Sequence, residues 1–405
     1  MVMRPLSILH VVPYYEDAWA YGGIPRLAGA MTRGLARRGH HVTVCTTDAA
    51  EPGARLGESR GDADYEGVTV RVFRNLSNSL AYRWQFFTPI GLGRFLRESA
   101  DTFDVAHLHA CHHLPGAIAA AALRRARVPY VVSPNGTAPR MERRRVAKLA
   151  FDLTAGRRML PGAARVLGVT TAERRQLEAA GVPASRIRLV PNPIDLREFE
   201  PAPDGAAFRA SNGLDGLRVV LFLGKLTPRK GVDVLLRAFA TLTDPALRLV
   251  IAGNDMGSGA ALAALARRLG VADRLRRVGL LRGRDRLDAL AAADVVVYPS
   301  RDEIFGLVPI EALLCGRPVV VCGDSGCGEV IGTLGGGHLV PFGESGTLAR
   351  AIASMLADPA GWDFRARAAA GRARDLFAVD AVCAQLEHVY GELVATRADP
   401  APQYA

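Results

Sequence analysis

The sequence has few cysteines, few aromatic residues and no long apolar run, and each shortage narrows what the chain can be. Its 405 residues include six cysteines that are scattered and form no C-x-x-C pair. The chain therefore lacks the cysteine density of a small secreted disulfide scaffold. Nowhere do eighteen or more apolar residues run together, which argues against a transmembrane helix. We expect a protein of the reduced cytoplasm.

Aromatic residues make up only 6% of the chain, although its net charge is +11. An excess of positive charge indicates that the partner could be a nucleic acid, an anionic membrane surface or an anionic small molecule. A nucleic-acid-binding protein would need clustered aromatic residues for base stacking or a recognised reader motif, and the sequence has neither. Nucleic acid is therefore the weaker alternative.

The pattern of apolar runs indicates two α/β domains. Short runs such as "LSILHVV", "DVAHLHA" and "PYVVSP" alternate with helical periodicity, and a second series follows the proline-rich segment "PNPIDLREFEPAPDG". We predict two doubly wound, Rossmann-like domains, residues 1–197 and 198–375. Residues 376–405 are expected to form a helix that packs back towards the first domain and ends in a frayed tail. Ligands bind at the carboxyl ends of parallel strands, so the expected site is a cleft across which the two domains face each other.

Two segments place charged residues after predicted strands of the second domain. "GKLTPRKG" puts Lys225 and Lys230 before a predicted helix, where cations and the helix N-terminus can act on one anion. "RDEIFGLVPIEALLCGRPVV" puts Glu303 in a loop and Glu311 in a helix, on either side of Gly306. A carboxylate can accept two hydroxyl hydrogen bonds, which suits the diol of a ribose or a hexose. Each segment taken singly also has a simpler interpretation, which remains open. The first could be a solvated basic turn, and the second could carry two surface glutamates.

Taken together and in this order, the motifs resemble the retaining GT-B glycosyltransferases of family 4, the glycosyl transferases group 1. Further matches are "GGIPRLAGAMTRGLARRGHHVTV", "DVAHLHA", "VPNPID" and "CGEVI", and the whole set spreads from Ile8 to Ile331. The resemblance implies the GT-B fold and transfer of a hexose from a nucleoside diphosphate sugar to an alcohol, with retention. It also implies a role in cell-surface polysaccharide or glycolipid synthesis and no required cofactor. An epimerase or a phosphorylase of the same fold remains an alternative.

The resemblance implies four catalytic residues: His109, Lys225, Lys230 and Glu303. The two lysines would hold the diphosphate, although Lys225 stands where the family commonly has arginine and so loses bidentate geometry. Glu303 would bind hydroxyls of the transferred sugar. His109 would hydrogen-bond the donor sugar as a neutral imidazole.

The resemblance also implies six substrate-binding residues: Gly22, Gly23, Phe305, Gly306, Leu307 and Glu311. The first two would form a glycine loop that faces the donor phosphates and the acceptor. Backbone amides of the next three would face the sugar and the phosphates, and the glutamate would bind the ribose diol.

Histidines and a cysteine around His109 raise the alternative of a metal site, since His107, Cys111, His112 and His113 are close in sequence. No carboxylate joins them and no second ligand cluster follows, so we predict no metal. The "DAD" run at 62–64 imitates the D-x-D motif of a different glycosyltransferase fold, but it lies in a polar, glycine-rich loop.

A basic segment favours attachment to an anionic membrane surface. "PRMERRRVAKLAFDLTAGRRML", residues 139–160, combines seven cations with an apolar stripe at helical spacing, which is typical of helices that lie on anionic bilayers. The resemblance implies a lipid-linked glycan as acceptor at the inner membrane face, because many members of the family act on such acceptors there. We therefore expect a cytoplasmic protein with peripheral attachment to that face. Alternatively, the stripe packs into the domain and the cations meet solvent or a soluble anionic acceptor.

Overall fold

The computed structural model describes residues 4–16, 18, 21–50, 55, 63–138, 149, 151 and 153–398. The chain forms two compact units. Unit 1 comprises Met1–Ile194 and Val379–Ala405, and unit 2 comprises Asp195–Ala378.

Unit 1 is built on one eight-stranded sheet. Its strands are β1 (Ser7–Val11), β2 (His41–Thr47), β3 (Ala63–Tyr65), β4 (Val68–Phe73), β5 (Val105–His109), β6 (Tyr130–Ser133), β7 (Arg165–Gly168) and β8 (Ile187–Leu189). They lie in the order β3-β4-β2-β1-β5-β6-β7-β8, with all neighbours parallel except the antiparallel pair of β3 and β4. Within residues 4–194, the α-helices that the structure describes are α1 (Ile24–Arg37), α2 (Asn78–Trp84), α3 (Leu92–Ser99), α4 (Leu114–Arg125) and α5 (Thr171–Ala179).

Unit 2 is built on a six-stranded parallel sheet. Its strands are β9 (Arg218–Leu223), β10 (Leu247–Ala252), β11 (Leu275–Gly279), β12 (Val295–Tyr298), β13 (Val319–Cys322) and β14 (Gly337–Val340). They lie in the order β11-β10-β9-β12-β13-β14. The helices are α6 (Gly205–Asn212), α7 (Val232–Ala240), α8 (Gly259–Arg268), α9 (Gly283–Ala292), α10 (Leu307–Leu314), α11 (Gly326–Leu334), α12 (Ser345–Ala357) and α13 (Pro359–Phe377). The last helix of the chain, α14 (Val379–Ala398), belongs to unit 1.

Central strands form where the sequence has continuous β-branched runs. The strand β12 reads VVVY and β13 reads VVVC, and every residue of both is buried, as expected of parallel strands covered on both faces. By contrast, Arg276 and Arg277 are exposed on the edge strand β11, where charge blunts edge-to-edge pairing. These patterns confirm the prediction of two Rossmann-like α/β domains.

Helix α14 completes the hydrophobic core of unit 1. Its residues Val382, Leu386 and Tyr390 are fully buried, in one apolar cluster with residues of α1 and the sheet such as Leu35 and Ile8. Burying such side chains stabilises the unit by about 1.5–3 kcal/mol each.

The strand order fixes where a ligand site is expected. In unit 1 the strands β2 to β4 lie on one side of β1, and the strands from β5 onwards lie on its other side. In unit 2 the strand order switches sides in the same way between β9 and β12. Open α/β sheets bind ligands beyond the carboxyl ends of the strands at such a switch point. His109 ends β5, while Lys225 and Glu303 follow β9 and β12 closely.

All six cysteines are free thiols.

Among the described residues, every helix is too short or too polar to cross a bilayer.

Candidate active site

The loops after β9 and β12 are joined backbone to backbone. The amide of Arg301 donates to the carbonyl of Arg229 over 2.9 Å. Gly231 precedes α7 in the left-handed conformation, with φ of 64°, and a Cβ there would collide with the carbonyl oxygen of Pro299. Glycine is therefore required at this helix start.

Lys230 and Glu303 form the charged centre of these loops. The Lys230 ammonium donates to Glu303 Oε2 and to the hydroxyl of Tyr298. The same carboxylate oxygen accepts from Tyr298 over 3.2 Å and from Ser300 Oγ over 3.1 Å. An ammonium has three N–H donors, so these two bonds leave one donor of Lys230 for a further acceptor.

The surroundings keep Glu303 ionised. Burial raises the pKa of Glu303, but the charges of Lys230 and Arg229 and the hydrogen bonds from Lys230 and Ser300 outweigh burial, so the pKa lies below its ordinary value. At neutral pH the group is therefore a carboxylate.

The same surroundings disfavour the charged form of Lys225. Burial, followed by the charges of Lys230 and Arg229, lowers the pKa of Lys225 to about 8, although Glu303 acts against this shift. A concentration of positive charge at the carboxyl end of β9 depresses the pKa of one of its members, and an anion bound there would relieve the repulsion.

The segment from Phe305 to Leu307 begins α10. Phe305 is buried, with its ring edge-on to Phe377 at 5.2 Å between centroids. Gly306 has a φ of 78°, and a Cβ there would collide with the sulfur of Cys327. Because Leu307 is the first residue of α10, its free amide and its neighbours form the positive end of a helix.

Glu311 is the fifth residue of α10, just over one turn into the helix. Only 1% of it is exposed, and Oε1 lies 3.3 Å from Nη2 of Arg286, which is itself buried and also paired with Glu198. Glu311 is therefore buried, and the alternative interpretation that it is a solvated surface glutamate is wrong.

In unit 1, Gly22 and Gly23 lead into α1. Gly22 has a φ of 99°, and Gly23 is the N-cap of the helix, with Pro25 in the first turn. A loop of this kind exposes backbone amides next to the positive end of a helix.

His109 lies at the end of β5 and is paired with a histidine that the sequence analysis did not single out. Its Nε2 lies 2.9 Å from Nδ1 of His10 on the neighbouring strand β1, and both residues are fully buried. Burial and then the proximity of His113 lower the pKa of His109 to about 3, so the imidazole is neutral at physiological pH. Its Nδ1 has no hydrogen-bond partner among the described residues.

The ring nitrogens of His10, His107 and His109 lie close enough together to be tested as a metal site, all within 4.8 Å. His107, however, has a partner at each nitrogen, Tyr390 at Nδ1 and Ser133 at Nε2, both at 2.7 Å. A metal ion would have to displace one of these bonds. The arrangement therefore resembles a buried hydrogen-bonded cluster more than a vacant three-histidine site.

Sequence comparisons identify the family. Residues 205–374 match the family described as glycosyl transferases group 1, and residues 22–193 match the glycosyl transferase 4-like domain. The D-inositol 3-phosphate glycosyltransferase of Kineococcus radiotolerans is 32% identical over 366 residues, covering 84% of this chain and 83% of the relative. That of Mycobacterium sp. strain KMS is 34% identical over 349 residues, covering 80% of this chain and 75% of the relative. The chain belongs to the group 1 glycosyltransferases.

Solved structures agree with this fold. Anabaena HepE in complex with UDP-glucose superposes with a TM-score of 0.75 at 22% identity, covering 96% of this chain and all of that chain. Sucrose-phosphate synthase from Thermosynechococcus elongatus gives the same TM-score, identity and coverage. The protein is thus a group 1 glycosyltransferase with two Rossmann-like domains of the GT-B type, and family membership favours glycosyl transfer over the epimerase, phosphorylase and nucleic-acid-binding alternatives.

Proposed function

We propose that this group 1 glycosyltransferase transfers a hexose from a nucleoside diphosphate sugar to an alcohol acceptor with retention of anomeric configuration. The observation that carries the proposal is the cluster of Lys225, Lys230 and Glu303 at the switch point of the unit 2 sheet, beside the N-terminus of α7. Support also comes from the HepE structures, which are described as complexes with UDP-glucose and with UDP and glucose.

In this proposal the diphosphate is the leaving group. Negative charge grows on the diphosphate as its bond to the sugar breaks, and fixed positive groups that face such charge usually provide the largest catalytic effect. Lys225, the remaining donor of Lys230 and the amides at the start of α7 supply that charge, so no metal ion or other cofactor is required. Glu303, held ionised, accepts hydrogen bonds from hydroxyls of the transferred sugar.

Two further residues, one in each unit, have proposed roles in donor binding. Glu311, fixed against Arg286, receives the ribose diol, because a rigid carboxylate loses little entropy on binding two hydroxyls. The neutral His109 presents Nδ1 to a sugar hydroxyl. A protonated histidine at that position would add positive charge near a reacting carbon that itself becomes positive.

The acceptor is proposed to be a lipid-linked or soluble glycan in cell-surface polysaccharide or glycolipid synthesis. The named relatives act on D-inositol 3-phosphate, which makes a phosphorylated polyol a second acceptor class to test. The basic segment 139–160 is proposed to support peripheral attachment to the inner membrane face, although residues 139–148, 150 and 152 lie outside the described part of the chain.

A donor screen tests the function. The full chain is incubated with nucleoside diphosphate hexoses and released nucleoside diphosphate is measured, first without and then with lipid-linked glycans, soluble glycans and inositol phosphate. Mass spectrometry of the products should show a gain of one hexose, and the Lys230→Met variant should lose it. If no donor is consumed with any acceptor while the parent remains folded, the proposal is wrong.

A further inference from the structure

Five large apolar side chains are exposed within fifteen consecutive residues of unit 1. They are Leu76 at 64% exposure, Leu80 at 44%, Trp84 at 60%, Phe86 at 54% and Ile90 at 54%, and we call them the apolar patch. Single exposed apolar residues are ordinary, but a concentration of this size marks an interaction surface.

The segment that carries the apolar patch is held firmly at its base. The amide of Leu76 donates to Thr88 O over 3.1 Å and that of Ile90 to Arg74 O over 2.9 Å. At its centre, Phe87 is 1% exposed and packs in an aromatic cluster with Tyr14 and Tyr21. The exposure of its neighbours therefore belongs to a folded surface and is not the result of a frayed end.

Helix α2 directs part of the apolar patch outward. Ala81 is fully buried, while Leu80 and Trp84, four residues apart, lie on the same exposed side of the helix. Gln85 ends the helix in the left-handed conformation, with φ of 54°. This turn brings Phe86 to the surface next to the helix end.

The segment that contains the apolar patch carries charge of one sign in its sequence. Residues 67–97 contain no Asp or Glu. They contain five arginines: Arg71, Arg74, Arg83, Arg94 and Arg97. All except Arg71 are exposed. Of these arginines, Arg94 pairs with Glu98 over 3.0 Å. Exposed apolar groups and further exposed arginines, Arg74 and Arg83 among them, thus share one segment, which is complementary to a surface that is both apolar and anionic.

We propose that the apolar patch is an anchor that inserts into the headgroup and acyl boundary of an anionic bilayer. Tryptophan and phenylalanine favour this boundary, and the arginines bind the lipid phosphates. An anionic bilayer offers both an apolar interior and negative headgroups. A protein partner would instead need an apolar surface ringed by acidic residues that match these arginines individually.

The anchor lies next to the glycine loop of the same unit. The ring of Tyr82, on α2, meets that of Tyr21 edge-on at 5.9 Å between centroids, and Tyr21 directly precedes Gly22 and Gly23. The inference rests on the proposed function in so far as a membrane acceptor gives the anchor its purpose. It differs from the proposed attachment through residues 139–160, because it assigns the apolar insertion to residues 76–90.

Co-sedimentation of the full chain with vesicles tests the apolar part. With vesicles of phosphatidylcholine and phosphatidylglycerol, we expect the double variant Trp84→Ser, Phe86→Ser to partition about tenfold or more weakly than the parent, given the apolar area removed. The matched control is Phe364→Ser, since Phe364 is 74% exposed on α13 of unit 2, and it should bind like the parent. Equal binding by all three proteins overturns the inference.

A second pair of variants tests the charge. Arg74→Glu with Arg83→Glu should weaken binding to anionic vesicles, and the loss should shrink as salt is raised. Arg267→Glu with Arg268→Glu, exposed at the end of α8, changes the net charge equally and should bind more tightly than the first pair. If both pairs lose binding equally, only net charge matters and the anchor is wrong.

The fluorescence of Trp84 reports whether the apolar patch inserts into the bilayer. Brominated lipids should quench part of the tryptophan emission of the parent, and this quenching should be lost in Trp84→Phe. Quenching that remains unchanged in the variant contradicts insertion. Self-association that Trp84→Ser abolishes, without vesicle binding by the parent, would make the apolar patch a contact between copies and overturn the inference.

Two controls keep this inference distinct from the rest of the proposal. Loss of vesicle binding in Arg143→Glu, Arg144→Glu, Arg145→Glu, with parent-like binding by the Trp84 and Phe86 variant, would assign attachment to the basic segment instead. Donor consumption with a soluble acceptor should be unchanged in the Trp84 and Phe86 variant. If the parent itself consumes no donor, the proposed function fails while the vesicle result stands.

Discussion

Lys225 should make donor binding depend on pH in the alkaline range. A lysine is charged below its pKa, and the pKa of Lys225 is lowered to about 8 by burial and by its cationic neighbours. As pH rises through that value the ammonium is lost, and with it one of the charges proposed to hold the diphosphate. Affinity for a nucleoside diphosphate sugar should therefore fall as pH rises.

The magnitude follows from the titration curve. For a pKa of about 8, the charged fraction falls from about nine-tenths at pH 7 to about one-tenth at pH 9. If only charged Lys225 binds the donor, the Kd rises about tenfold over this interval. Among its neighbours, Glu303 has a lowered pKa and Tyr298 a raised pKa, so neither changes charge there.

The assay is calorimetric titration with an intact nucleoside diphosphate hexose, whose diphosphate carries constant charge across this range. Lys225→Arg is the decisive variant, because guanidinium stays charged throughout. It should bind at neutral pH and lose the alkaline fall. Lys225→Met should bind weakly at every pH. A parent Kd that stays flat between pH 7 and pH 9, or an equal alkaline fall in Lys225→Arg, would refute the reasoning.

Three other changes have expected outcomes. His109→Ala should lower turnover more than donor affinity, since the imidazole is proposed to meet the sugar, and a chelator should leave parent activity unchanged; loss of activity in chelator, restored by a divalent ion, would revive the metal site. Glu311→Gln should weaken donor binding and cost about 1–3 kcal/mol of unfolding free energy in urea, because it breaks a buried ion pair; parent-like values in both measurements would remove its proposed role. Gly306→Ala should lower the thermal midpoint more than Gly279→Ala, because both have positive φ but only Gly306 also faces a steric collision; equal midpoints would contradict the packing described.

The fold could be predicted from the sequence because parallel strands buried on both faces read as short, continuous apolar runs. "ADVVVYPS" and "GRPVVV" became β12 and β13 for this reason. The short edge strands β3 and β8 lack such runs, so no apolar signal marked them.

The order of the strands also explains why two candidate residues of unit 2 lie in contact. Lys230 and Glu303 follow strands β9 and β12, which are neighbours in the sheet, so their contact follows from topology. Tyr298 and Ser300 belong to "ADVVVYPS", at and just after the end of β12. The sequence marks this strand end but does not indicate a role for either side chain.

Partners that depend on tertiary packing could not be predicted. His10 meets His109 across 99 residues, and only the pairing of β1 with β5 brings them together. Arg286 meets Glu311 because α9 and α10 pack side by side, which spacing in the sequence does not reveal. The motifs also do not show how deeply their charges are buried: Lys230 and Glu311 are only 8% and 1% exposed. Their burial is tolerated because each charge is paired.

Binding of the donor by the full chain tests the central claim most directly. Calorimetry with UDP-glucose and other nucleoside diphosphate hexoses should give one site per chain for at least one donor. Binding of that donor should be lost in Lys230→Met and retained in the exposed control Arg268→Met, while a short oligonucleotide should not compete. Donor binding that is unchanged in Lys230→Met, or a chain that binds the oligonucleotide and no donor, would contradict this account.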